Sequence, residues 1–218
     1  MTPDQLAPSR REQGKALRRG AIFDAARTLL RVEGPGVSAE RIAQQAGVST
    51  ATLYNLIGPR EQLLGALLSE LFEQLEHEVK ALQLDDPLRF GEAVVTISAG
   101  MFCADSALWR RVVHEASNTY PERIQPYVRL QPIELQKCAM REAKARGMLQ
   151  KFVDTDMAAQ QIYNSYNGAL FQWSGRILSD AEFLHNALCG YWVNIAAFGA
   201  RAERARALDI IRKLPAAL

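Results

Sequence analysis

Cysteine is scarce: Cys103, Cys138 and Cys189 are far apart and odd in number among 218 residues. They form neither a CxxC pair nor a disulfide framework, so buried packing in a reducing cytoplasm is the expectation. Histidine is as rare, and His77, His114 and His185 show neither HExxH nor any other close pairing. A Gly-rich phosphate loop is missing as well, which removes the usual starting points for a metal hydrolase or a nucleotide enzyme. No metal and no cofactor are expected. Glu115 beside His114 points elsewhere on a helix and makes weak evidence for a catalytic base.

Alternating strand patterns, internal repeats and low-complexity tracts are also lacking. Arginines and acids punctuate the N-terminus, so no apolar signal segment is read there. Residues 157–175 and 183–200 contain no Asp, Glu, Lys or Arg and approach the roughly 17-residue minimum of a membrane span. The first nevertheless holds Gln160, Gln161, Asn164, Asn167 and Gln172, and the second His185, Asn186 and Asn194. Buried protein interface is the better reading, with no membrane partner.

What is present is an ordinary folded composition, 48% hydrophobic and 23% charged, long enough for one large domain or two modest ones. The net charge is only +2, but it is unevenly placed. Residues 1–65 carry nine Lys or Arg against six Asp or Glu, and the remainder seventeen against eighteen. Most of the excess sits in RREQGKALRR, residues 10–19. A small module that meets phosphate, followed by a larger one that does not, fits this split.

Hydrophobic periodicity predicts an all-α chain. Ile22, Ala26, Leu29 and Leu30 make a helix of about 11–32, stopped by Gly34-Pro35-Gly36. Ser38 caps AERIAQQAG, whose Ile42, Ala43 and Ala46 face inward; Gly47 stops it, and Ser49 caps TATLYNLI. Gly58-Pro59 opens a long helix to about residue 82 with a leucine stripe. Further helices are expected at 88–103, 106–117, 122–146, 154–175, 179–199 and 201–213. No linker precedes residue 83, so two units are placed at 10–64 and 65–218.

Two short helices joined through Gly47, the second capped by a hydroxyl, are what a helix-turn-helix requires. Thr50 and Ala51 are small enough for close approach to a groove, Thr52 and Tyr54 bring hydroxyls, and Asn55 both donates and accepts. Leu53 is read as core.

Residues 19–64 resemble the DNA-binding domain of the tetracycline-repressor (TetR) family of bacterial transcription regulators. The resemblance rests on AIFDAARTLL, IAQQAGVSTATLY and REQLL. It implies a three-helix head, a variable helical domain for ligand binding and dimerisation, and a ligand-released repressor in most members. Ser38, Thr50, Ala51, Thr52, Tyr54 and Asn55 fall where family members meet DNA, with the Tyr54 hydroxyl on a phosphate. Arg60 stands in for the usual lysine at the start of helix four and keeps its positive charge near the phosphates. Leu56 departs from the family's histidine or tyrosine and loses that polar contact, whereas Ile57 still fills the slot of the usual phenylalanine. Arg10, Arg11, Lys15 and Arg18 add a basic arm.

A palindromic double-stranded operator calls for a homodimer. The charge-free helices supply the expected interface: Ile162, Tyr166 and Leu170 on one, and Leu188, Tyr191, Trp192, Ile195 and Phe198 on the other. A small-molecule effector of unknown identity is expected among Trp109, His114, Tyr120, Tyr127, Asn164, Asn167, Phe171 and Trp173. The alternative is a small helical enzyme or ligand-binding protein whose head is only structural.

Overall fold

Helix starts follow residues that accept hydrogen bonds from otherwise free amides. The computed structural model describes residues 9–34, 36–119 and 121–215, and the side chains of all of these except 121–131. Within them Ser9 and Glu12 form a reciprocal capping box for α1 (Arg10–Val32), and Ser38 caps α2 (Ala39–Gln45). Ser49 caps α3 (Thr50–Leu56), and Pro59 precedes α4 (Arg60–Ala81). Asp86 accepts from Leu88 and Arg89 at the head of α5 (Pro87–Ala104), and α6 (Ser106–Thr119) and α7 (Pro121–Ala145) follow. Asp154 opens α8 (Thr155–Ser174), Ser179 and Glu182 box in α9 (Asp180–Phe198), and α10 (Arg201–Lys213) closes the described chain. The expected helices are present within about two residues of their predicted ends.

The head is α1, α2 and α3, held by Ile22, Phe23, Leu29, Leu30, Ile42, Leu53 and Ile57, all buried. Helices as short as α2 and α3 are marginal alone, so packing on α1 supplies their stability. Truncating Leu53 to alanine would cost about 2–5 kcal/mol by the usual cavity argument.

In the body α4 packs on α5 and α7, α8 lies between α6, α7 and α9, and α9 also meets α5 and α10. Its centre is aromatic: Trp173 stacks on Phe183 at 5.1 Å, and Phe102 meets Trp109 edge-on at 5.8 Å. Helix α4 runs uninterrupted through residues 64 and 65 and belongs to both head and body. One antiparallel bridge, Leu149 with Gly199, pins the α7–α8 turn to the α9–α10 turn.

Among the described residues four arginines tie head to body, the first being Arg27 of α1, which pairs with Glu70 of α4. Arg31 makes a fork with Asp105, whose carboxyl is held below its ordinary range chiefly by that hydrogen bonding. Arg111 of α6 donates to Leu30 O and Arg31 O, both at 2.7 Å, satisfying carbonyls at the end of α1. Arg60 binds Glu115 of α6.

Candidate functional site

The α2–α3 turn rests on Gly47, whose φ of +67° suits a residue without a side chain. Thr52 N–H donates to Ser49 Oγ at 3.1 Å, and the Ser49 and Thr52 hydroxyls lie 2.8 Å apart. This fixes the start of α3 and presents one bare side. Leu53 is buried, whereas Ala51, Tyr54 and Asn55 are exposed and Thr50 and Thr52 half-buried. Tyr54 is 48% exposed. Ser38 is exposed at the start of α2, where its oxygen accepts from Arg41 N–H.

Lys15 and Arg18 of α1 line one concave surface with Gly47, Ser49, Thr52, Asn55 and Leu56 of the helix-turn-helix. Burial on α1 begins only at Ile22, so its first turns project beyond the head core with Arg10, Arg11, Lys15 and Arg18 all exposed. Positive charge therefore lies beside the α3 surface. Arg19 donates to Leu56 O at 3.3 Å and braces the end of α3.

Arg60 is turned away from that surface. Its Nε and Nη2 reach the Glu115 carboxylate, the latter at 2.8 Å, and Nη1 donates to Val37 O at 2.5 Å. Glu115 is 8% exposed, so a phosphate contact by Arg60 would strand a buried carboxylate. Sequence alone gives the charge but not this partner, which stands 55 residues further along the chain.

The residues expected at a dimer interface divide differently. Ile162, Leu170, Tyr191, Trp192 and Ile195 are buried within the single chain, and Tyr166, Leu188 and Phe198 are partly buried against its core. Tyr191 Oη donates to Leu88 O at 2.7 Å and Trp192 Nε1 to Glu92 Oε1 at 3.0 Å. These are contacts within one chain, and of that stripe Tyr166, Leu188 and Phe198 keep partly exposed surface. The exposed sides of the same helices carry Met157, Gln161, Asn164, Gly168 and Phe171 on α8 and Asn186, Val193 and Ala197 on α9. Phe171 is 47% and Val193 51% exposed on this uncharged surface.

The expected ligand residues also scatter. Trp173 is buried, its indole donating to Asp180 at 2.7 Å. Trp109 edges a surface groove with Arg27, Glu70 and Asp105 between head and body. His114 is exposed beside Asn118, 3.2 Å away, and Asn164, Asn167 and Phe171 face outward on α8. Tyr120 and the side chain of Tyr127 lie outside the described residues. None of the six described residues lines the cavity enclosed by α5, α7 and α8.

That cavity, of about 20 Å³, is lined by Val94, Val95, Ser98, Pro132, Gln136, Ile162, Tyr163 and Tyr166. Tyr166 and Ser98 join hydroxyls at 2.8 Å. Gln136 Nε2 donates to Gly91 O at 2.8 Å, made possible by a bare glycine: a Cβ there would fall 3.0 Å from Gln136 Oε1 and 2.5 Å from Tyr191 Oη. Sequence reading missed Gln136. The available signal is a glutamine on the apolar stripe of Ile133, Met140 and Ala143, where helical spacing calls for a hydrophobe.

Residues 22–67 match the family model described as bacterial regulatory proteins, tetR family. Among solved structures the chain is similar to RolR in complex with resorcinol, with TM-score 0.68 and 21% identity over 94% of this chain and 99% of that one. It is also similar to FadR of Thermus thermophilus, a TetR-family transcriptional repressor in complex with lauroyl-CoA, with TM-score 0.64 and 24% identity over 78% and 91% of the two chains. SmeT, repressor of the Stenotrophomonas maltophilia multidrug efflux pump SmeDEF, gives 0.68 and 21% over 85% and 92%. No curated protein matches in sequence. At these identities the structural likeness carries the fold.

Proposed function

From the match of residues 22–67 to the family model described as bacterial regulatory proteins, tetR family, we propose a homodimeric, sequence-specific DNA-binding repressor released from its operator by a small molecule. The observation that carries this reading is the bare side of α3, capped by Ser49 and bordered by Lys15 and Arg18. Residues 10–64 read DNA and 65–218 carry the effector and dimer functions, in the cytoplasm where the operator is.

Thr50, Ala51 and Asn55 read base edges, and Tyr54 reaches a phosphate. Thr52 and Ser38 hold the geometry through their cap hydrogen bonds. Leu56 is apolar where the family has a polar residue, and Lys15 and Arg18, which share its surface, take over phosphate contact there. Each such contact adds about 0.9 to the log–log salt slope. Arg60 acts as a strut between head and body.

Dimerisation uses the outward faces of residues 157–174 of α8 and 183–198 of α9, which carry no charged residue to desolvate. The signal between sites passes through α6. Its neighbouring arginines grip in two directions: Arg110 donates to Trp173 O and Leu178 O beyond α8, and Arg111 to the end of α1. A ligand that moves α8 therefore moves α6, and α6 carries the head; the ligand acts through its different affinity for the two positions. That RolR binds resorcinol and Thermus thermophilus FadR binds lauroyl-CoA supports an effector in this fold.

An enzyme reading finds little support. His114 contacts Asn118 while Glu115 is engaged by Arg60, so the adjacent pair serves separate tasks. Among the described residues no three His, Cys, Asp or Glu cluster as a metal would need, and no helix is long and apolar enough to cross a membrane. Gel retardation of the chain's own promoter fragment, reversed by a small molecule, tests the proposal. A hydrolytic or transfer activity lost in His114→Ala, without retardation, would replace it.

A further inference from the structure

Helix α1 is longer than the head needs. Burial along it begins at Ile22, so residues 10–21 stand clear of the core over about 18 Å, at 1.5 Å per residue. The match to the family model starts at the same place, at residue 22, so the projecting turns lie outside what that model covers. They are nevertheless built as helix rather than tail. Ser9 N–H donates to Glu12 Oε2 at 2.7 Å and Glu12 N–H to Ser9 Oγ at 3.3 Å, which closes the first turn from both sides. The one acid of the stretch is thereby engaged at the cap.

The positive charge is arranged as well as concentrated. Arg11, Lys15 and Arg18 follow at steps of four and three residues, which share one face of a helix, and the same stripe continues as Ile22, Ala26 and Leu29, all buried. One face thus changes from basic to apolar at the edge of the head. Arg10 lies about 100° round from Arg11, off this stripe. Among the described residues the first ion pair along α1 is made by Arg27, so the three charges are open to a partner. Arg19 turns to the head itself, donating to Leu56 O at 3.3 Å and lying 5.1 Å from the Phe23 ring. Lys15 and Arg18 border Thr52 and Asn55 on the concave surface beside α3. Arg11 stands about 10 Å further out along the helix than Arg18, roughly three phosphate spacings of one DNA strand.

We propose that the first three turns of α1 are a rigid arm that follows the DNA backbone and carries Arg11 onto phosphates outside the half-site read by α3. This rests on the DNA-binding reading above. An anionic rod suits the stripe better than a compact acidic patch, because the three charges lie in a line and continue the surface assigned to the duplex. Contact there adds affinity without sequence preference, since phosphates repeat whatever the bases.

The test uses the full-length chain and two duplexes that carry the selected palindrome. One ends at the half-sites, and the other extends by about five base pairs of unrelated sequence on each side, the length of the arm. In salt-titrated anisotropy the extended duplex should bind severalfold tighter, with a log–log slope steeper by about 0.9 for each arm. Arg11→Ala should abolish the added slope, whereas Arg10→Ala, an equal change of charge off the stripe, should keep it. Gly20→Pro retains every charge but breaks the helix upstream, and proline suits the first turn of the shortened helix. A Cβ at Gly20 would meet nothing within 4 Å. That variant too should abolish the added slope, and should weaken the short duplex through Lys15 and Arg18. Equal losses in Arg10→Ala and Arg11→Ala, or a gain found with one flanking sequence and not with another, overturn the assignment. So does retention on polyglutamate that depends on Arg11 with no gain from the flanks, which would give the stripe to an acidic protein. Equal binding of both duplexes, with the palindrome still preferred, removes the arm and leaves the repressor reading. No preference for the palindrome over random duplex removes that reading, and with it the arm's place beside a half-site.

Discussion

Replacing Arg60 by alanine should unfold the chain more readily and leave the salt dependence of DNA binding unchanged. Glu115, 8% exposed, would lose its guanidinium partner and Val37 O its donor. Removing one member of a buried ion pair costs about 3–5 kcal/mol. The Arg60 side chain is 21% exposed, and water entering there partly rescues the stranded carboxylate, so the low end of about 3 kcal/mol is expected. For a chain of this length that corresponds to a fall in Tm of roughly 6–12 °C. The assay is thermal and urea unfolding at fixed protomer concentration, since dimerisation shifts the midpoint. Glu115→Ala and the double variant complete a cycle, and the double variant should cost less than the two single changes combined. In parallel, anisotropy on a selected duplex at several salt concentrations reads the phosphate count. The reasoning is refuted if Arg60→Ala keeps its Tm while the salt slope drops by about 0.9, the signature of a lost phosphate contact.

Tyr54→Phe should weaken specific and random duplex alike, by about tenfold, because a hydroxyl on a phosphate gives affinity without sequence information; salt-titrated anisotropy checks it, and loss confined to the specific site would contradict it. Val193→Asp, at a 51% exposed position on α9, should convert dimers to monomers in sedimentation without loss of helix content, whereas Ile195→Asp should unfold the chain. Acid should loosen the structure late. Arg31 holds Asp105 below its ordinary value, and hydrogen bonds from Ser106, Arg110 and Trp173 outweigh burial to do the same for Asp180. Their stabilisation is complete above the ordinary carboxylate range near 3.8 and is lost as pH falls through the depressed values. Unfolding midpoints should therefore hold from pH 7 to about 4 and fall below, less steeply in Asp105→Asn.

The helices were legible because their ends are chemical. Ser38, Ser49, Asp154 and Ser179 announce starts, and Gly47 and Gly58 announce stops. The head was legible because IAQQAGVSTATLY confines both the turn and the exposed side of α3. What failed to show was direction across the body. Residues 157–175 and 183–200 lack charge all round, so no polar face marks the outside. The largest hydrophobes, Tyr191, Trp192 and Ile195, invite assignment to an interface, yet large side chains are what one chain buries first. The outer face carries small and amide side chains such as Gly168, Asn164 and Ala197. Arg60 and Gln136 are hidden for a related reason. Each is defined by a partner distant in sequence, Glu115 for one and Gly91 for the other.

Selection of duplexes from a random pool by the full-length chain reads symmetry, spacing and specificity of DNA binding together. One palindrome whose half-sites lie about one helical turn apart, or a multiple of it, should be enriched. Affinity for it should fall about tenfold in Tyr54→Phe and persist, at a temperature where the variant is folded, in Arg60→Ala. No enrichment over the starting pool, or a single half-site bound by a monomer, would contradict dimeric, sequence-specific DNA binding.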